Sequence, residues 1–403
     1  MTVTRLPLLN DRHTHVSFYA ALGAAADLSA CVTRAQALAA LKRGRRSGGL
    51  LLARGWKNNH YDLPRAELDR LGAVVVCNVS LHSFAFSSGA VRLLAPRLPG
   101  LAAGIEDQEW VERHLNAVFG LFAAAAGPRA ITAYMAALAR QGVWAAADML
   151  VADDAAARTL AGRFAGRCEL WSEPELFSGL GRGARAAVTG LKIFTDGALG
   201  ARTAALKRPY RGGGRGLLLH TDAGLRRVIG AAARLKGRLA VHAIGDAAID
   251  QALAALEDLA LPASALRARL ENAQLITAGQ ARRAKRLGVQ LCMQPNFSSD
   301  SVCYADRLPA RYLRANNPFR MLIDEAGFAP GEDLVFGSDG MPHGAAAALE
   351  GALFPPYPGQ RLTLAEFRAG YCLPGFGPGR LDVRVDEKGR KVGVKVRLAG
   401  AAV

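Results

Sequence analysis

The chain has 403 residues, 51% of them hydrophobic, with 51 Lys+Arg against 34 Asp+Glu and a formal net charge of +17. That length excludes one small domain and fits a single α/β barrel of about 250 residues or more with insertions. The cysteines (Cys31, Cys77, Cys168, Cys292, Cys303 and Cys372) are scattered without a CxxC, which argues against a disulfide framework or a cysteine zinc site and for a reducing, cytoplasmic setting.

The arginines are dispersed among alanines, as at Arg226, Arg227 and Arg234, rather than gathered into one aromatic-interleaved run. No specific nucleic-acid partner is therefore expected, and an attraction for anionic small molecules is the broader meaning of the charge. The apolar stretch before Asn10 is too short for a signal-peptide core, and no run reaches the ~18 apolar residues of a membrane span.

Taken in chain order, Leu6 to His15 reads as the first strand and ends in Asp11-Arg12-His13-Thr14-His15. Successive strand side chains alternate faces, so His13 and His15 point the same way and can reach one metal ion. Between about residues 48 and 100 the pattern changes. Apolar runs at Leu50–Ala53 and Val74–Val76 flank a loop with Trp56, Asn58, Asn59 and His60, which predicts an inserted β-containing subdomain.

From Gln141 onward a short β-rich run and an Ala/Leu/Arg helix alternate. The strands are predicted at Val143–Met149, Cys168–Trp171, Val188–Phe194, Leu239–Ile244, Arg269–Leu275, Val289–Met293 and Leu334–Phe336, and the helices at Ala155–Phe164, Ala223–Leu235, Ala247–Leu259, Ala278–Leu287 and Pro318–Ala326. Strict alternation implies parallel strands with right-handed crossovers, and with the first strand the number suits a closed (β/α)8 TIM barrel; an open doubly wound sheet is the alternative. The tail alternates valines with charge around Asp386-Glu387-Lys388-Gly389, as a β-hairpin does. The organisation expected is a barrel domain over 1–380 with a hairpin tail over 381–403.

Catalytic groups of a parallel barrel come from the carboxyl ends of its strands. Those ends offer His13 and His15, Lys192 with Asp196, His242 with Asp246, Glu271-Asn272, and Asp339. Closure would bring Asp339 beside His15, and a mixed imidazole and carboxylate set suits zinc and related divalent ions. A buried lysine loses its proton readily, so Lys192 could take up carbon dioxide as an anionic carbamate. Each residue also has an ordinary reading. Lys192 could be a surface lysine, His242 a core histidine, Asp339 a turn former, Asp196 structural, and Asp246 a helix N-cap.

Read together, Asp-Arg-His13-Thr-His15, Gly55-Trp56, Ala147-Asp148-Met149, the long stretch from Leu191-Lys192 through Asp196-Gly197 and Gly200-Ala-Arg202-Thr203, Val-His242-Ala-Ile-Gly-Asp246, Leu-Glu271-Asn272-Ala-Gln274 and Gly337-Ser338-Asp339 resemble the amidohydrolase superfamily. The resemblance is to amidohydrolase family 3, with its N-substituted formamide deformylase-type members. It covers roughly residues 8 to 345.

The resemblance implies a metal-dependent hydrolase cleaving a C–N, amide-type bond of a small molecule through metal-activated water. His13, His15 and Asp339 would hold one ion, Lys192 would be a carbamylated bridge, His242 would bind a second ion, and Asp339 would shuttle the proton. His82 or Arg202 would meet oxyanion charge, and His343 would lie on the substrate side. The chain departs from the family at Asn272, where a histidine ligand is usual, which leaves one or two ions open. Heterocycle deamination and a catalytically silent binding or regulatory protein are the alternatives. The strands that usually flank such barrels are reduced here to the tail hairpin, so a second subunit could cover the exposed flank as a homo-oligomer.

Overall fold

The computed structural model describes residues 3–58, 60–78, 83–259, 266–340 and 342–400. Its strands are β1 (Val3–Pro7), β2 (Leu9–Thr14), β3 (Ala26–Asp27), β4 (Arg46–Ser47), β5 (Leu50–Trp56), β6 (Val74–Asn78), β7 (Phe84–Phe86), β8 (Val143–Asp148), β9 (Cys168–Ser172), β10 (Gly190–Phe194), β11 (Arg238–Ala243), β12 (Arg267–Asn272), β13 (Gln290–Met293), β14 (Leu334–Phe336), β15 (Gly379–Asp386) and β16 (Lys391–Leu398).

Eight of these form one sheet in the order β14-β13-β12-β11-β10-β9-β8-β2, every neighbouring pair parallel. The two ends of the sheet meet: Thr14 bridges Asp339 in parallel, and the Asp339 N–H donates to the His13 carbonyl at 2.6 Å. Gly337 permits this seam, because a Cβ there would fall on the His13 backbone and stand 2.7 Å from the His13 Cβ. The closed barrel is thus the fold, and the open sheet is not.

Helices follow the strands where the Ala/Leu/Arg patterns put them, at Asp154–Arg163, Asp222–Lys236, Asp246–Asp258 and Ala278–Arg286. Asp153, Thr221 and Thr277 cap three of them by accepting from backbone amides in the first turn. The barrel and its helices share one large core that runs from Leu6 to Val383.

Several local expectations are revised. Leu6–His15 is not one strand: Pro7 ends β1, which pairs antiparallel with β15 in a side sheet ordered β1-β15-β16, and the barrel strand starts afresh at Leu9. The predicted strand to Leu275 stops at Asn272, because Asn272 and Ala273 adopt φ of 70° and 45° and leave the β region. Over Pro318–Ala326 the chain forms a π-helical turn at Met321–Glu325. The inserted sheet, ordered β3-β5-β6-β7 with β4 on β5, begins at Ala26 rather than near residue 48. It does so because Leu28, Ala37 and Leu41 pack with Leu51, Val74 and Val76 in a core of their own. No single helix among the described residues is long and apolar enough to cross a membrane.

Candidate metal centre

The site is assembled by the closure of β14 onto β2. His13 is the penultimate residue of β2 and is buried; His15 lies one residue past the strand and opens the helix Val16–Ala24. The expected shared face survives this boundary, with ring centroids 5.7 Å apart. Two buried carboxylates hold the segment. Asp11 accepts from the Ser338 N–H at 2.9 Å and hydroxyl at 2.6 Å, tying β2 to the end of β14. Asp148, at the end of β8, accepts from the Ser17 N–H at 3.0 Å and so anchors the turn that carries His15.

Asp339, at φ 55°, turns its side chain back across the seam. Its Oδ1 lies 3.5 Å from His13 Nε2 and 3.3 Å from His15 Nε2. One ligand atom from each of these three side chains lies within 4.8 Å of the others. Lys192, buried on β10, places Nζ 3.4 Å from His13 Nε2. Burial would raise the Asp339 pKa, but His13, His15 and Lys192 outweigh it and hold the carboxylate ionised.

The outer partner of His13 is Glu271, whose Oε2 lies 2.6 Å from Nδ1. A carboxylate at that distance accepts a hydrogen bond from Nδ1–H, so Nε2 presents its lone pair to the space shared with His15 and Asp339. Burial is the main force pushing His13 below its ordinary pKa, which favours the neutral ring. Burial alone would raise Glu271, but Arg269, His13 and Lys192 draw it down to about 2. Arg269 donates to Glu271 and stacks over Trp171 at 4.9 Å, a buried ion pair in the barrel interior.

The donor set fits a divalent cation, with two imidazole nitrogens and one ionised carboxylate oxygen converging on one space. A second constellation, His13, Glu271 and Cys292, is equally compact. It does not fit a cation, because Arg269 and His13 Nδ1 already engage Glu271, and burial pushes the Cys292 thiol well above its ordinary value, so it stays protonated.

Other predicted residues fall differently. His242 lies on β11 beside Glu271 of β12, but its Nε2 turns to the Gly197 carbonyl at 3.1 Å and lies outside the compact ligand cluster. Burial, aided by Lys192, lowers it to about 3, so it is neutral. Asn272 turns its NH2 group, not its carbonyl, into the site, donating to Asp339 Oδ2 at 2.6 Å while its buried Oδ1 has no partner among the described residues. In this arrangement Asn272 holds the Asp339 carboxylate in place.

Arg202 is exposed at φ 59°, and its guanidinium lies beside Gly212, away from the His13–Asp339 cluster in its contacts. His82 and Asn59 lie outside the described residues. Asp196 is structural, accepting from the Ala205, Ile244 and Gly245 amides. Asp246 is not an N-cap; Gly245 occupies that position, and Asp246 accepts from Lys207 N–H and Tyr312 OH. His343 does approach the site, with Nε2 3.3 Å from Thr14 Oγ1. Trp56 packs within the insertion, donating to the Tyr61 carbonyl at 2.9 Å. Sequence reasoning gave no role to Glu271, Asp11 or Asp148, although each sits inside or beside a motif it singled out.

This closed parallel barrel brings a histidine pair and an aspartate together at its carboxyl end. The amidohydrolase family matches residues 4–347, and the chain belongs to that family. It is 28% identical over 359 residues to the putative amidohydrolase YtcJ of Bacillus subtilis (strain 168), covering 78% of this chain and 67% of that protein. Two solved structures, uncharacterized metal-dependent hydrolases from Pyrococcus horikoshii and Pyrococcus furiosus, share the fold at 23% identity. Their TM-scores are 0.66 and 0.67, over 87% and 91% of this chain and 74% and 80% of theirs.

Proposed function

We propose that this protein is a metal-dependent hydrolase that cleaves the C–N bond of an amide in a small molecule. The observation that carries the reading is the convergence of His13 Nε2, His15 Nε2 and Asp339 Oδ1 at the barrel seam. His13, His15 and Asp339 would hold one divalent ion, zinc by its donor preference. Bound there, such an ion lowers the pKa of a water towards ~7 and polarises a carbonyl.

Asp339 supplies the proton chemistry. Being ionised, it accepts a proton from the attacking water and returns it to the departing nitrogen, so that an amine leaves rather than an amide anion. Asn272 donates to Oδ2, the oxygen that is not turned to the two histidines, and so holds the carboxylate in place. Lys192 is buried and pushed down from its ordinary pKa chiefly by burial, which favours the free amine that carbon dioxide would convert to a carbamate. The orientation of His242 and Asn272 favours one ion over two.

The test is metal analysis followed by turnover. Protein loaded with zinc should hold about one equivalent and hydrolyse members of a panel of N-formyl and N-acetyl arylamides. Chelation should abolish the activity, and Asp339→Asn should reduce kcat by about 10²- to 10⁴-fold. Ammonia release from amino-heterocycles without amide cleavage would favour a deaminase. Failure to bind zinc would remove the reading.

A further inference from the structure

Tyr19 lies in the first turn of the helix Val16–Ala24, its N–H donating to the carbonyl of the N-cap His15 at 2.9 Å. Its ring meets the His343 ring edge-on at 4.6 Å and lies 6.2 Å from Tyr134. His343 Nε2 in turn lies 3.4 Å from the Tyr134 hydroxyl and 3.3 Å from Thr14 Oγ1. Those polar groups are thereby occupied. The Tyr19 hydroxyl forms no hydrogen bond with the described residues, and it is not sealed from solvent as an orphan buried atom would be. It stands 3.8 Å from where a Cβ on Gly340 would be, next to Asp339 in the chain. Burial, then the charges of Asp339 and Asp11, push its pKa above the ordinary phenol value, so the group remains a neutral O–H donor. Of the two residues expected to meet oxyanion charge, Arg202 is exposed near Gly212 and His82 lies outside the described residues.

We propose that Tyr19 is a catalytic residue whose hydroxyl donates a hydrogen bond to the carbonyl oxygen of the scissile amide, a bond that strengthens as that oxygen gains negative charge. The role rests on the amide-hydrolase reading of the site. A fixed donor beside developing charge acts on the transition state more than on the bound substrate. No proton is transferred by Tyr19; Asp339 retains that task.

Tyr19→Phe keeps the ring and its edge-on contact with His343 and removes only the O–H. On N-formyl- and N-acetyl-p-nitroanilides we expect kcat to fall by about 10²-fold with KM changed less than about 3-fold, and zinc content and melting temperature unchanged. A methylphosphonamidate of aniline, whose anionic oxygen imitates the charged carbonyl, should lose affinity by a similar factor. If the wild-type protein turns over these amides and the variant matches it, Tyr19 has no such role and the hydrolase reading stands. If the variant loses zinc or stability in step with activity, Tyr19 is structural and the proposal fails. If the wild-type protein neither cleaves the amides nor binds the phosphonamidate, the reaction and the role of Tyr19 fall together.

Discussion

At the scale of single residues, the site depends on a buried relay from Arg269 through Glu271 to His13. Glu271 does not touch the proposed ion; it fixes the tautomer and tilt of a residue that would. Glu271→Gln should therefore weaken zinc binding by about 10- to 100-fold, measured by competition with a fluorescent chelator. Unchanged affinity would show that packing alone orients His13. His13, His15 and Asp339 were legible because each ends a recognisable strand. Glu271 was visible as a residue but not as a partner, since its contact with His13 spans 258 positions and exists only once the barrel closes. Arg202 adopts a left-handed backbone and is exposed near Gly212, and no local pattern announces such a turn.

At the scale of elements, the segment after β13 is held by a network of amides rather than by regular structure. Gln274 donates to Asp300 Oδ2 at 2.9 Å and to Asn316 at 3.1 Å, and Gln360 donates to the Asn316 carbonyl and to Ser301. Burial pushes the Asp300 carboxyl up to about 7, against the pull of Gln274. A raised folded-state pKa means the native protein holds this proton more tightly than the unfolded chain. Its stabilising effect is full below about pH 4 and is lost as pH rises through about 7. Asp300→Asn, which cannot ionise, should gain urea resistance relative to wild type more at pH 8 than at pH 5. An equal difference at both values would mean that Asp300 is ionised throughout. The barrel strands and most helices could be read from periodicity, but β1 could not, because its partner β15 lies at the other end of the chain.

At the scale of the whole molecule, the inserted sheet has its own small core, whereas the side sheet packs Leu381 and Val383 into the core of the barrel. The barrel's two edges meet where the proposed ligands meet, so the fold's closure and the site's assembly are one event: Asp339 hydrogen-bonds the His13 backbone and faces its ring. The sequence order of the ligands, with Asp339 far from the histidine pair, makes sense only in that closed form. The most direct test is zinc-edge anomalous diffraction from crystals of the zinc-loaded protein. One strong peak is expected within bonding distance of His13 Nε2, His15 Nε2 and Asp339 Oδ1. A peak at Glu271 and Cys292 instead, or none at the seam, would contradict it.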